Sequence, residues 1–260
     1  MKKNRKAHRG FNLLYDILCF IFAIVFIVSM LFTVKMLPDI GEVNNPTNNE
    51  VTEKYLKDAS WETGSLNAVS GMILDYRAFD TLGESCVLFV ATTAVFIMLR
   101  RDEDSPDGLP TKHLVRKHEP IEDPILKKSF EFLIPAIFVF GIYVILNGHL
   151  SPGGGFSGGA ILGAAFILYL NAYGLEKTER FINSKTYLTF SVCALMFYAL
   201  AKSYVFFIGP NHIESVIPVL ADGSILASGL ILPLNIAVGI VVSNTVYALF
   251  IMFRRGGFHK

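Results

Sequence analysis

Six apolar runs, each about the length that the hydrocarbon layer of a bilayer demands of a helix, leave this 260-residue chain little choice of architecture. They cover approximately residues 11–36, 80–99, 129–147, 157–174, 184–208 and 227–253. Inside lipid every backbone polar group must be satisfied within its own element, so a continuous apolar run of this length spans as a helix. The expected class is an all-α integral membrane protein with about six transmembrane helices. The composition agrees: about half of the residues are hydrophobic and the mean hydropathy is positive.

Charge placement tests the number of spans. With the N-terminus in the cytoplasm, eighteen of the 23 Lys and Arg residues fall on the inner side. They lie before span one, between spans two and three, between spans four and five (Lys177, Arg180, Lys185), and at the end of the chain (Arg254, Arg255, Lys260). Outside segments hold only Lys35, Lys54, Lys57 and Arg77, and Lys202 lies within span five. The positive-inside rule expects this bias when both termini are cytoplasmic, and removing one span would scramble it. The basic start (Lys2, Lys3, Arg5, Lys6, Arg9) imitates a signal peptide, but the apolar run over 13–34 is too long for one and no small-residue cleavage site follows. It reads as the first transmembrane helix.

The polar segments divide the chain into a two-span part (1–100), a cytoplasmic linker (101–128) and a compact four-span part (129–260). The linker carries Asp-Ser-Pro-Asp-Gly and His-Glu-Pro clusters. An outside segment of some forty residues separates spans one and two. It opens irregularly, with a turn at Asn44-Asn45-Pro46. Leu66, Val69, Ile73 and Tyr76 then recur at helical spacing, with Ser65 as the expected cap. This is the pattern of a short amphipathic helix at the outer interface, or tucked into a partner. No internal repeat is visible, so the inverted-repeat signature of many secondary transporters is missing.

Between spans three and four stands Gly148-His149-Leu150-Ser151-Pro152-Gly153-Gly154-Gly155-Phe156-Ser157-Gly158-Gly159. A glycine-rich break at membrane depth points to close helix packing or to polar backbone facing an ion path. Gly155, Gly159 and Gly163 recur every four residues, which lines small residues along one helix face for a neighbour to approach. His149, at the end of span three, suits either an interfacial hydrogen bond or a proton relay, since its ordinary pKa lies near neutrality.

The segment Asp75-Tyr76-Arg77-Ala78-Phe79-Asp80-Thr81-Leu82-Gly83-Glu84 is the second informative cluster. Asp80 suits the N-cap of span two. Glu84, one turn further in, sits where a carboxylate is costly. It has three readings: a pair with Arg77, exposure to outside water, or a proton or sodium access route shared with Asp80 on the same helix face. Lys202 is the internal cation of span five. Its stem either snorkels outward, or its charge meets a carboxylate of a neighbouring subunit or modulates an ion channel. Pro233 should free the carbonyl of Gly229 and kink span six. Asn235 and Asn244 on that span could bond across helices.

Cys19, Cys86 and Cys193 fall inside apolar runs with no CxxC or Cys/His spacing. They read as small buried apolar residues, not as ligands of a cluster or zinc held by this chain. No P-loop, dinucleotide fingerprint or HExxH appears, and no basic block with interleaved aromatics suggests nucleic acid. The expectation is a chain that does no bond chemistry by itself and binds no cofactor or metal.

The part from span three onward, with the glycine motif above and Ser228-Gly229-Leu230-Ile231-Leu232-Pro233-Leu234-Asn235-Ile236-Ala237-Val238-Gly239, resembles the B subunit of Mrp-type multisubunit sodium/proton antiporters. The Asp75-to-Glu84 stretch, preceded by Glu62-Thr63-Gly64, is similar to the C-terminal tail of the large antiporter protein that carries the main transport body of those systems. That tail also occurs as a free small subunit, of the MbhE kind, in membrane-bound, energy-converting hydrogenases and related complexes. The chain lacks the large antiporter body that ordinarily precedes the tail.

The resemblance implies a non-catalytic subunit of a sodium- or proton-translocating module in a hydrogenase-type complex of a prokaryotic cell membrane. Such a complex couples ferredoxin oxidation and hydrogen evolution to ion movement. Iron–sulfur clusters and a nickel-iron site would then belong to partner subunits. It marks Asp80, Glu84, His149 and the Gly153, Gly154, Gly155 turn as positions to test. The alternatives are a subunit of a stand-alone Mrp-type antiporter and a purely structural membrane scaffold.

Overall fold

The structure is a computed structural model and describes residues 2–38, 41, 45–99, 123–174, 177–178, 184–208 and 229–255. Every regular element among them is helical. In chain order these are α1 (Lys2–Lys35), α2 (Glu50–Lys57), α3 (Ala59–Thr63) and α4 (Ala68–Gly71). A π-helical turn (Met72–Tyr76) leads to α5 (Ala78–Leu99), followed by α6 (Pro124–Leu146), α7 (Gly155–Tyr173), α8 (Ser184–Ile208) and α9 (Ile231–Arg255). Six of these helices are long and apolar enough to cross a membrane: α1 and α5 to α9. The chain is a multi-pass membrane protein.

Two compact units divide within α2, at Glu53 and Lys54. The first contains α1, whose apolar stretch Tyr15–Lys35 has exposed side chains throughout. Beyond it a turn forms at Asn45–Asn48, closed by the Asn48 N–H on the Asn45 carbonyl at 2.8 Å. The Asn49 side chain then accepts from the Thr52 N–H at 2.9 Å, capping the start of α2.

In the second unit α9 is the hub, packing against α5, α6, α7 and α8. Its core face carries Leu234, Val238, Val241 and Val242, which meet Ala194 and Tyr198 of α8 and Leu74 of the π turn. The glycine stripe of α7 explains how close α7 comes to α9. A Cβ on Gly155 would lie 2.6 Å from the Asn235 carbonyl oxygen, one on Gly159 2.8 Å from the Gly239 carbonyl oxygen, and one on Gly163 2.8 Å from Val246 Cβ. Real side chains do not approach so near, so only hydrogen fits along this face.

Several local expectations change. Helix α6 begins at Pro124, capped by the Asp123 side chain on the Ile125 and Leu126 N–H groups at 2.9 and 3.4 Å. The last residues assigned to the linker are therefore helix, because an Asp-Pro pair is a strong start signal. Linker residues 101–122 and the first residues expected of span six, 227 and 228, lie outside the described residues. Pro233 falls in the first turn of α9, where backbone N–H groups have no intrahelical partner to lose, so no kink is required. Cys19, Cys86 and Cys193 are exposed rather than buried. A lipid-facing surface is as welcoming to a small apolar group as a protein core, so an apolar run does not reveal which way its cysteine points.

Candidate functional site

The ionic centre of the second unit forms where the π turn meets α8. Between Met72 and Tyr76 the backbone closes a wider turn, with the Arg77 N–H donating to the Met72 carbonyl five residues back at 2.8 Å. Such turns leave carbonyls without their usual partners and mark functional positions often. Here Thr81 Oγ1 donates to the Ile73 carbonyl at 2.6 Å, and the Tyr198 hydroxyl to the Ala78 carbonyl at 3.0 Å. The widened turn presents Asp75 to α8, and Lys202 Nζ donates to Asp75 Oδ1 at 2.7 Å.

The pair is asymmetric. The Lys202 side chain is 3% exposed and that of Asp75 37%. An ammonium so deeply placed costs several kcal/mol unless a counter-charge stands beside it. Asp75 supplies that charge and keeps one edge open to exchange. The partner of Lys202 thus lies in this same chain, and neither snorkelling nor a carboxylate of another subunit is needed. Sequence spacing gave no hint of it, because 127 residues separate the two. The signal that was available is chemical: a lone lysine inside a span requires an acid, and Asp75 stands just ahead of another span.

The second structured region is the glycine turn between α6 and α7. Asn67 is the N-cap of α4, its side-chain oxygen accepting from the Val69 and Ser70 N–H groups at 3.2 and 3.4 Å. Its Nδ2 donates to the Gly148 and Ser151 carbonyls, both at 3.0 Å. The His149 carbonyl accepts from the Asn67 N–H at 3.0 Å and from Ser65 Oγ at 2.9 Å. Ser65, expected as a cap, instead ties the outer segment to this turn, and Asn67 does the capping. From the other side Asn235 Oδ1 accepts the Gly155 N–H at 2.9 Å. Gly153 and Gly154 hold φ of +144° and +127°, angles that side-chain-bearing residues rarely adopt. The buried His149 ring lies within this hydrogen-bonded turn.

Asp80 and Glu84 both lie on an exposed face of α5. Helix α5 starts at Ala78, so Asp80 is inside the first turn and not its N-cap. It pairs with Arg77 at 2.5 Å, which takes the cation that Glu84 might have claimed. On the outer segment the Tyr76 hydroxyl donates to Glu62, and Lys54 Nζ lies 3.1 Å from Glu62 Oε1. That hydrogen bond, and secondarily Lys54, hold the Glu62 carboxyl below its usual range against a weaker effect of burial. Burial first, then Glu62, push the Tyr76 phenol above its usual value. Among the described residues no group of three or more His, Cys, Asp or Glu is placed to hold a metal ion.

A multi-pass helical protein with a buried lysine–aspartate pair and a clamped glycine turn is matched by two family models. MbhE, the model of the E-type subunit of MBH, covers residues 12–115, and MnhB, "Domain related to MnhB subunit of Na+/H+ antiporter", covers residues 125–248. The class is therefore a fused membrane subunit, MbhE-type in its first part and MnhB-type in its second. The chain belongs to the same family as the uncharacterized protein MJ1307 of Methanocaldococcus jannaschii, with 33% identity over 199 residues, 68% of this chain and 72% of that protein. It is also similar to a probable K(+)/H(+) antiporter protein of Rhizobium meliloti, the A/B subunit, 28% identical over 152 residues, 53% of this chain but only 15% of that much longer protein. Among solved structures, a chain of the membrane-bound sulfane sulfur reductase (MBS), an archaeal respiratory membrane complex, aligns with a TM-score of 0.66 and 28% identity. The alignment covers 90% of this chain and 97% of that one.

Proposed function

We propose that this chain is a non-catalytic membrane subunit of the cation-translocating module of a membrane-bound, energy-converting complex of the hydrogenase type. In that reading ferredoxin oxidation and hydrogen evolution, carried out by partner subunits with iron–sulfur clusters and a nickel-iron site, drive sodium or proton movement. This chain binds none of those centres. It joins other membrane subunits in a prokaryotic cell membrane, with both termini in the cytoplasm as the lysine and arginine bias requires.

The observation that carries the reading is the buried Lys202–Asp75 pair at a π turn. A charged pair in a membrane-embedded core is costly to retain and has a use wherever a passing cation or proton can displace one partner. Support for a redox-driven assembly comes from extent: the alignment spans nearly the whole of a respiratory-complex chain, yet only a small fraction of the antiporter protein. The MnhB-type second part favours the stand-alone antiporter as the competing reading.

Gentle purification of the tagged chain from its native membrane distinguishes the two. Co-purifying nickel and iron–sulfur proteins, with hydrogen evolved from reduced ferredoxin, support the proposal. Antiporter-like subunits alone overturn it in favour of the stand-alone antiporter. Glu84→Gln tests the access route separately. The variant complex is expected to assemble normally and to lose ion transport, and unchanged transport with normal growth in salt removes Glu84 from the path.

A further inference from the structure

The buried polar residues of α5 and α8 are not scattered. At 3.6 residues per turn, Tyr187, Ser191, Tyr198 and Lys202 fall within about 60° of one another on α8. Thr81, Ser85 and Thr92 fall within about 40° on α5. All seven are buried. Helices α5 and α8 pack against each other and both pack against α9, which adds Asn244 and Thr245. Polar groups therefore follow one another along this helix junction, from Tyr187 near one end of α8 to the Lys202–Asp75 pair near the other.

Their hydrogen bonding is incomplete in a specific way. Thr92 and Thr93 donate to the Leu88 and Phe89 carbonyls at 2.9 and 2.8 Å, which leaves their oxygens as acceptors. The Tyr187 hydroxyl faces Thr92, Thr93 and Thr245, yet neither it nor Thr245 Oγ1 closes a hydrogen bond of ordinary geometry with any described residue. Ser85 Oγ is in the same position. Between the two levels, Asn244 Nδ2 donates to Ser191 Oγ at 3.4 Å. A buried hydroxyl left unmade costs about 1–3 kcal/mol, and three on one junction are not retained for packing. Hydroxyl groups that face one another without bonding directly are the setting in which water bridges.

We propose that the α5–α8–α9 junction is a hydrated seam that conducts protons to the Lys202–Asp75 pair. Water held by Tyr187, Thr92, Thr93 and Thr245 begins the chain, and Ser191, Asn244 and Ser85 continue it. At its end Lys202 passes a proton from Nζ to the Asp75 carboxylate: an N–H bond breaks, an O–H bond forms, and both charges are cancelled. The neutral amine then takes a proton from the seam, and Asp75 releases its own through its exposed edge. The inference deepens the ion-path reading above by naming the proton as the ion and this seam as its route.

Hydroxyl-radical footprinting of the purified complex in nanodiscs, read by mass spectrometry, tests for water without reference to the identity of the partners. Tyr187 is expected to be labelled at a rate comparable to the half-exposed Tyr143, while Phe190, on the opposite, exposed side of α8, stays unlabelled in lipid. In proteoliposomes Tyr187→Phe and Thr245→Val, which keep side-chain volume, are expected to lower proton flux roughly tenfold or more with normal subunit content. Ser85→Ala gives a second, independent variant should either misassemble. An unlabelled Tyr187 overturns the proposal, as does labelling with undiminished proton flux in the assembled variants. If the partners prove to be antiporter subunits only, the hydrogenase reading fails while the seam is still judged by its labelling and flux.

Discussion

Lys202 Nζ stands 2.7 Å from Asp75 Oδ1, joining the Ile208 end of α8 to the π turn that precedes α5. One partner is sealed in protein and the other is partly open, so the two substitutions are not equivalent.

Asp75→Asn strands an ammonium in the core, and Lys202→Met removes it. We expect the first to destabilise the detergent-solubilised protein by roughly 1–3 kcal/mol, less than the loss at a fully buried pair because Asp75 is partly exposed. The double variant should return to within about 1 kcal/mol of the parent, since an apolar pair of similar size replaces a buried ion pair at little cost. Thermal unfolding checks the stability, and ion flux in proteoliposomes should stay lost in all three.

Gly159→Ala and Gly83→Ala make the same chemical change with opposite results. The first drives a methyl group against the Gly239 backbone, while the second meets nothing within 4 Å. Overpacking at Gly159 is expected to cost about 1–3 kcal/mol. At Gly83, in the interior of α5, the substitution is expected to be neutral or to stabilise by up to about 1 kcal/mol through helix propensity. Thermal melting of the two variants side by side reads the difference.

Asn67→Ala removes a helix cap and two bonds to the glycine turn at once. The cap alone is worth about 1 kcal/mol. Hydrogen exchange should accelerate at Val69 and Ser70, which lose their acceptor, and through Gly148–Gly155. Faster exchange only at α4 would mean that the turn holds itself.

Acid and alkali should loosen the Lys54–Tyr76 segment from opposite directions. Glu62 titrates below its ordinary 4.5 in the folded state, so its contribution is complete above that value and fades as pH falls through the lowered one. Tyr76 titrates above its ordinary 10.0, so the folded segment resists its ionisation and loses stability as pH rises past that value. Hydrogen exchange over residues 59–71 should be slowest between these limits. Tyr76→Phe should raise the exchange and weaken its acid dependence.

The spans were legible because hydropathy over some twenty residues is a physical requirement of the bilayer, and α8 begins and ends where its apolar run does. The glycine spacing also carried real geometry, since a repeat of four fixes a helix face whatever lies opposite. What lay opposite was not legible: nothing local says that Gly155 would meet Asn235 or that Lys202 would meet Asp75. The π turn escaped for a related reason. Its extra residue is stabilised by Thr81 and Tyr198 through tertiary hydrogen bonds, not by any propensity of Met72–Tyr76. Ser65 and Asn67 are both good cap residues, and only the His149 carbonyl decided which one would cap.

Helix α9 lies deepest among the candidate spans and is also the last described helix to leave the ribosome. Helices α5 to α8 must therefore wait in the bilayer, their glycine and hydroxyl faces incompletely covered, until synthesis reaches Arg255. For a membrane quality-control protease, an interrupted translation product would be recognisable by what those earlier helices still show.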